Sequence, residues 1–555
     1  MTTVQIAPAD SAWSERTREL ALTLTAWPSE TGSPGEEAFP QRLRAYLATW
    51  PYFQAHPDLL WVAPARASAS ANLYALVRGQ GPDTVMLSGH FDTVSTENYG
   101  ELGPLACTPE RLREALIAEL EGRDRNAAET LALHDLQGGE FLPGRGLLDM
   151  KGGLAAGLAV LERYAALPEG ERRGHLLFVT SPDEEGLSRG ARSVVQELPG
   201  IARRHSLRIR LGINLDATND VGDGSEGQAV YLGTVGKLLV SALVVGRPTH
   251  AAYPFDGTSA ALLAAELVRR VEGNADLADA AHGQRAAPPV CLEVRDGRTQ
   301  YDVTTPAQFW CAFNVLTHRR TPPEVLEQFV ALAQAAADSA LGTFAGRAAA
   351  WDSQSAPGLE QQRARVLTFG ALRERAIRQA GEAAVAALVN LTPAEPDPLQ
   401  ASASLTRALL ELAGVEGPAV IVGFGAVHYP HTHIAETDPE GAAASLVTAQ
   451  VTRFVQETGA RVRLRPYFAG ISDMSFLGHS PSADATAAVT QHTPHPAHVH
   501  TPPADALSFP TINAGPWGRD YHQKLERIYQ PYAFGVLPEL LWRLIRARLP
   551  GHPPA

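Results

Sequence analysis

Two histidines and a set of carboxylates fall along this chain in an order that suits divalent-cation chemistry. They are His90 and Asp92 in SGHFDTV, Asp149 in GRGLLDMKGG, Glu184 and Glu185 in SPDEEG, Asp216 in INLDATN and His522 in GPWGRDYH. His90 and Asp92 are two apart on an extended segment, so their side chains point the same way. A carboxylate so placed can hold the second ring nitrogen of a metal-binding histidine and fix its tautomer. By itself the pair reads more readily as a turn with an incidental histidine. Asp149, just before a glycine-opened helix, reads alone as a helix N-cap. Asp183, Glu184 and Glu185 repel one another, and a cation could compensate them. One glutamate could then bind metal while its neighbour acts as base on a water. Asp216 and His522 are weak signals singly. Together these residues supply mixed imidazole and carboxylate ligands with one carboxylate free to bridge. Such a set suits Zn²⁺, with Co²⁺ or Mn²⁺ as alternatives.

Most of these residues follow predicted strands. The run VMLS, within Thr84–Ser88, precedes His90; HLLFVT, His175–Thr180, precedes the acidic triplet; LGINL, Leu211–Leu215, precedes Asp216. Helices are predicted over Trp13–Thr25, Glu36–Thr49 and Leu154–Leu167. Strands alternating with helices indicate an α/β layer, in which ligands bind beyond the carboxyl ends of the strands. The character shifts near Tyr231. A strand over Leu238–Gly246, a helix over Ser259–Glu272, strands near Val290–Val294 and Phe309–Leu316, and Ala-rich helical stretches after Pro322 suggest an insert. The expected organisation is a catalytic domain in two pieces, 1–234 and 437–555, split by an enlarged α+β lid domain over 235–436.

Composition narrows the class. The chain has 555 residues, 45% hydrophobic and 19% charged, an ordinary globular balance. At ~150 residues per domain, that length calls for more than one domain. A net charge of −13 argues against a general nucleic-acid binder. Three scattered cysteines, Cys107, Cys291 and Cys311, make neither a disulfide framework nor a thiolate zinc finger. Met1–Leu20 carries Asp10, Glu15, Arg16 and Arg18, unlike a secretory signal, and no apolar run reaches the ~18–20 residues that span a bilayer. A cytoplasmic protein without membrane or nucleic-acid partners is expected.

The motifs GHFDTV, RGLLDMKGG, SPDEEG, GRPTHAAYPFDGTSA and GPWGRDYH, in that order, resemble those of the co-catalytic zinc peptidases. That family includes aminoacylase, carboxypeptidase G, dipeptidase V, acetylornithine deacetylase and succinyl-diaminopimelate desuccinylase. Within it the chain looks most like the long-chain RocB branch, linked to arginine utilisation. The resemblance implies a zinc-peptidase-like catalytic domain, a mixed sheet flanked by helices, holding two divalent metal ions. It implies His90 and Asp216 on one metal, Glu185 and His522 on the other, and Asp149 bridging them, with a cis peptide after Asp149. Asp92 would orient His90, and Glu184 would be the general base. His250, in GRPTHAAYPFDGTSA, would be the lid histidine that steadies an oxyanion, in relatives often from a partner subunit. Where relatives often show Asp-x-Arg, this chain has His318, Arg319 and Arg320. A substrate-carboxylate role for either arginine stands beside a surface ion pair. Asp473, in GISDMS, matches a site-shaping loop.

The expected reaction is hydrolysis of an amide bond in a small peptide or N-acyl amino acid. Rival readings are a decarbamoylase or other amidohydrolase on the same scaffold, or a non-catalytic binding protein. No G-x-S-x-G elbow supports a serine hydrolase. Both a homodimer and a monomer with an enlarged lid fit the resemblance. Two His-rich stretches, VHYPHTH (His428, His431, His433) and QHTPHPAHVH (His492, His495, His498, His500), read as rim or surface loops.

Overall fold

The computed structural model describes residues 11–219, 227–298, 300–351, 359–394, 397–438 and 441–549. The chain divides into two compact units. One comprises Met1–Thr234, Thr432–Ser480 and Pro502–Ala555; the other comprises Val235–His431 and Pro481–Thr501.

The first unit is built on an eight-stranded mixed sheet. Its strand order is Leu60–Pro64, Ala71–Val77, Arg173–Ser181, Gln80–His90, Arg208–Asn214, Thr511–Asn513, Ala229–Tyr231, Arg463–Arg465. The three strands Arg173–Ser181, Gln80–His90 and Arg208–Asn214 are mutually parallel neighbours. Val85, Met86 and Leu87 are all fully buried, as in a central parallel strand covered on both faces. The register pairs His90 with Ser181 and Ser88 with Asn214. The three carboxyl ends therefore reach one edge together, and the residues after them share it.

The helix Gly152–Ala166 lies in the apolar core of this unit, with Leu154, Leu158 and Leu161 fully buried. It approaches the sheet through glycine: a Cβ on Gly153 would stand 2.1 Å from Leu215 O. A second, four-stranded sheet runs Phe141–Pro143, Arg527–Tyr529, Trp517–Arg519, Thr218–Asn219. It joins the segment leading to Asp149, the hairpin carrying His522 and the segment leaving Asp216.

In the second unit a five-stranded sheet runs Val290–Asp296, Gln308–Thr317, Gly236–Val245, Ala419–Phe424, Arg365–Thr368. The strand Gly236–Val245 alternates by twos. Leu238, Val240, Ala242 and Val244 pack with helices Ala260–Val271 and Pro322–Trp351, whereas Leu243 and Val245 pack with Phe369, Leu372 and Leu409. Period-two alternation puts apolar residues on both faces, so helices cover both.

One reading is corrected here. The stretch QHTPHPAHVH is not a surface loop: it begins in helix Ala483–His492, and His492, His495 and His498 are buried. One ring nitrogen of each meets the second unit's own backbone. Gly370 N donates to His492 Nδ1 at 3.1 Å, His495 Nε2 lies 3.1 Å from Thr392 O, and His498 Nε2 lies 3.1 Å from Ala394 O. These bonds account for the placement of 481–501 in the second unit, outside the continuous 235–436 span read from the sequence.

Overpacking a tight helix–sheet contact costs about 1–3 kcal/mol. Gly153→Ala should therefore lower the melting temperature of the protein by calorimetry. Gly170→Ala, whose Cβ would meet nothing within 4 Å, should melt with the wild type. Equal melting of the two variants would contradict this account of the contact.

Candidate metal centre

Six ligand-type side chains, His90, Asp149, Glu184, Glu185, Asp216 and His522, converge at the shared sheet edge in the first unit. His90 ends its strand with Nε2 3.2 Å from Asp149 Oδ1, 3.9 Å from Glu184 Oε2 and 4.0 Å from Asp216 Oδ1. Its Nδ1 lies 3.0 Å from Asp92 O and 3.4 Å from Asp92 Oδ1. His522 Nε2 lies 2.9 Å from Glu185 Oε1 and 3.1 Å from Asp149 Oδ2. Asp149 thus turns one carboxylate oxygen to each histidine. The peptide bond Asp149–Met150 is cis.

The groupings His90–Asp149–Asp216 and Asp149–Glu185–His522 each present ligand atoms within 4.8 Å of one another, as does His90–Glu184–Glu185. Donors held by one tetrahedral zinc at ~2.0–2.1 Å stand about 3.3 Å apart. The spacings fit cations of that kind, and so does the imidazole and carboxylate chemistry of the donors.

Asp92 organises the edge. Fully buried, it accepts Glu184 N on Oδ1 at 3.1 Å, and Glu185 N and Thr31 Oγ1 on Oδ2 at 3.2 and 2.9 Å. One side chain therefore fixes both the His90 ring and the turn that aims the two glutamates. Asp183 has a separate task. At φ 66° its oxygens bind Arg189 Nη1 and Arg189 N, and it starts helix Arg189–His205. Asp216 is held by Asn513, which accepts from its N at 3.1 Å and donates to its O at 2.9 Å.

The electrostatics are those of crowded anions out of water. Burial, then the charge of Asp149, pushes Asp216 up to about 7. Burial, with Asp216 and Glu185 nearby, holds Glu184 well above the usual carboxylate range, and burial raises Glu185. Burial raises Asp473 to about 6. Burial works against the protonated forms of His90 and His522, but their carboxylate partners overcome it, lifting His522 to about 10. Burial also opposes ionisation of Asp149, yet its two histidines bring it below its ordinary value.

The seven residues His90, Asp92, Asp149, Glu184, Glu185, Asp216 and His522 meet here. His250 belongs to the second unit, where it is exposed, pairs by an isolated bridge with Thr304 and accepts Ala252 N on Nδ1 at 3.1 Å. Arg319 is exposed, and the backbone N–H groups of His318, Arg319 and Arg320 each donate to Asp279 Oδ2 at 2.8 Å. His433 Nδ1 accepts from Ala435 N at 3.3 Å, and His431 Nδ1 lies 3.3 Å from Thr317 Oγ1. Asp473 is buried, and its Oδ2 accepts from Ser181 Oγ at 2.9 Å. Sequence reasoning missed Asn513, Arg145 and Glu526. Arg145 lies in the same motif as Asp149, and Glu526 four residues after His522, so proximity to the ligands was the available signal.

A cluster of histidines and carboxylates at the edge of a mixed sheet fits a metal-dependent hydrolase of the peptidase and amidohydrolase class. The family described as Peptidase family M20/M25/M40 matches residues 132–509, and the chain belongs to it. Uncharacterized protein YqjN of Bacillus subtilis (strain 168) is 32% identical over 549 residues, covering 97% of each chain. Protein RocB of the same organism is 26% identical over 556 residues, covering 95% of this chain and 94% of that one. Among solved structures, a tripeptidase from Staphylococcus aureus superposes with a TM-score of 0.53 at 16% identity, covering 97% of this chain and 99% of that one. The expected fold class and family are thereby borne out. No helix among the described residues is long and apolar enough to cross a membrane.

The raised groups set a pH dependence for chelator-treated protein. A carboxyl raised to about 7, as Asp216 is, binds more protons folded than unfolded above its ordinary 3.8, so its ionisation costs stability as pH rises. The stabilisation from His522 is full below its ordinary 6.5 and is lost as pH climbs through about 10. The depressed Asp149 acts only below its ordinary 3.8, where acid removes its contribution. Metal-free protein should therefore lose stability as pH rises from about 5 to 8, and divalent cations should offset that loss. Calorimetry should show the gap in melting temperature between loaded and chelated protein widening over that range; a constant gap would contradict this electrostatic account.

Proposed function

We propose that this enzyme hydrolyses an amide bond in a small peptide or N-acyl amino acid, with two divalent cations held by the sheet-edge cluster. The observation that carries the reading is the split use of Asp149, one oxygen toward each histidine, with Glu184 standing beside the cluster. His90 and Asp216 would hold one cation, Glu185 and His522 the other, and Asp149 both. We favour this over a triad of His90, Glu184 and Glu185 because it leaves Glu184 free for proton transfer. Zinc suits the donor set best, with cobalt or manganese as alternatives.

Bound there, the cations would polarise the scissile carbonyl and favour ionisation of a water. Glu184 takes the proton of the attacking water and delivers it to the leaving amine. Its raised affinity for a proton, set first by burial, matches a group that must hold one between the two transfers. Asp92 keeps that carboxylate aimed through the backbone of residue 184. His250 is proposed to donate to the developing oxyanion. We place the reaction in amino-acid catabolism, arginine utilisation included, on the likeness to the RocB branch.

Glu184→Gln should keep about two cations per chain by metal analysis while turnover falls by at least ~10²–10⁴-fold. Retained turnover would remove Glu184 from the base role. His250→Ala should lower kcat by ~10²–10³-fold, as expected for loss of an oxyanion donor; an unchanged kcat would exclude that role. A panel of dipeptides, N-acyl amino acids and N-carbamoyl compounds, assayed with Zn²⁺, Co²⁺ and Mn²⁺, separates a peptidase or deacylase from a decarbamoylase.

A further inference from the structure

We propose that the buried ion pair Arg145–Glu526, with Asn98, is a positioning device for one half of the cation site, that of Asp149, Glu185 and His522. The proposal rests on the two-cation reading above. Arg145 Nη1 donates to Glu526 Oε2, and both residues are buried, at 1% and 0% exposure. The same carboxylate collects donors from both ligand-bearing loops. Its Oε1 accepts Gly146 N, three residues before Asp149, at 3.0 Å, and its Oε2 accepts His522 N at 3.3 Å. The carbonyl of His522 is held as well: Asn98 Nδ2 donates to His522 O at 2.9 Å and Arg145 Nη2 reaches it at 3.5 Å. Arg145 Nη2 also donates to Asn98 Oδ1 at 2.9 Å, which closes the network.

This holding has a purpose that the backbone reveals. His522 sits at φ 64° and Asp520 at φ 55°, a conformation that side-chain-bearing residues seldom adopt. Such a conformation persists only where the surroundings over-determine it. At His522 the determinants are the pair and Asn98, and they fix the imidazole against Asp149 and Glu185. His90 and Asp216 are held by other residues, Asp92 and Asn513. Loosening the pair should therefore loosen the half of Glu185 and His522 most, with only a smaller effect reaching the other half through the shared Asp149. The charge on each partner makes the bond strong, while burial of both makes the loss of either costly.

The test is calorimetric titration of chelator-stripped full-length protein with Co²⁺, read together with the Co²⁺ absorption spectrum. Wild type should take up two cations. Glu526→Gln and Arg145→Lys should bind the second cation ~10–100-fold more weakly, the usual cost of removing a residue that orients a ligand, and lose far less affinity for the first. Asn98→Ala, at an exposed position that does not threaten folding, should show a smaller shift of the same second cation. Leu541→Ala, in the core of the same unit and outside the network, should bind both cations as wild type does despite a lower melting temperature. Unchanged binding in the network variants, equal weakening of both cations, or the same selective loss in Leu541→Ala would each overturn the proposal. If Glu526→Gln does not fold, Asn98→Ala decides alone. Wild type that binds fewer than two cations would sink the underlying reading, and the proposal with it.

Discussion

One buried carboxylate, Asp92, ties the site's first histidine to its glutamates. It sits beside the His90 ring and accepts the backbone N–H groups of Glu184 and Glu185. The strands that carry these residues are parallel neighbours, but parallel pairing alone fixes only where the chain leaves the sheet. The direction in which each loop then turns needs a local interaction. Asp92 supplies it for two loops at once, and Thr31 Oγ1 braces Asp92 in turn. Ligand atoms stand 2.9–4.0 Å apart beside this fully buried side chain.

Electrostatics pull the other way. Asp149, Glu184, Glu185, Asp216 and Asp473 are drawn together out of water, and burial is the strongest single influence on the ionisation of each. Carboxylates so placed keep their protons, or keep their charge beside a cation. Two histidines stand against these five carboxylates, so pairing with the histidines leaves an excess of negative charge. A divalent ion removes that excess without a proton. The cluster is therefore organised around a positive charge that its own side chains do not fully provide.

Much of this was legible in the sequence because strands announce themselves by apolar runs. VMLS, HLLFVT and LGINL each became a strand of the main sheet, and the acidic residue or histidine at each end became part of the site. The seven cluster residues could be read because each follows a recognisable element or lies in a motif of the family. The supports could not. Asn513 and Glu526 act through backbone N–H and C=O groups of residues far away in the chain, and no periodicity encodes such a partner. The stretch QHTPHPAHVH misled for the opposite reason. Proline and histidine suggest a loop, but tertiary contacts overrode composition, and three of its histidines became backbone hydrogen-bonding partners in a packed interior.

The two halves of the cluster are built on different principles. His90 and Asp216 come from adjacent strands of the central sheet, with side chains 2% and 7% exposed, and move only if the sheet does. His522 comes from the tip of the hairpin between Trp517–Arg519 and Arg527–Tyr529, with a side chain 36% exposed and a left-handed backbone. A hairpin tip has few packing contacts to define it, so its precision must come from hydrogen bonds. This is why a buried arginine and a buried glutamate stand behind His522, whereas apolar packing and a single carboxylate suffice behind His90. Asp149 joins the halves, and its loop is anchored on both sides. Glu526 accepts Gly146 N before it, and Lys151 after it donates to Trp27 O at 2.8 Å. The residue proposed to serve both cations is thereby held from both directions along the chain.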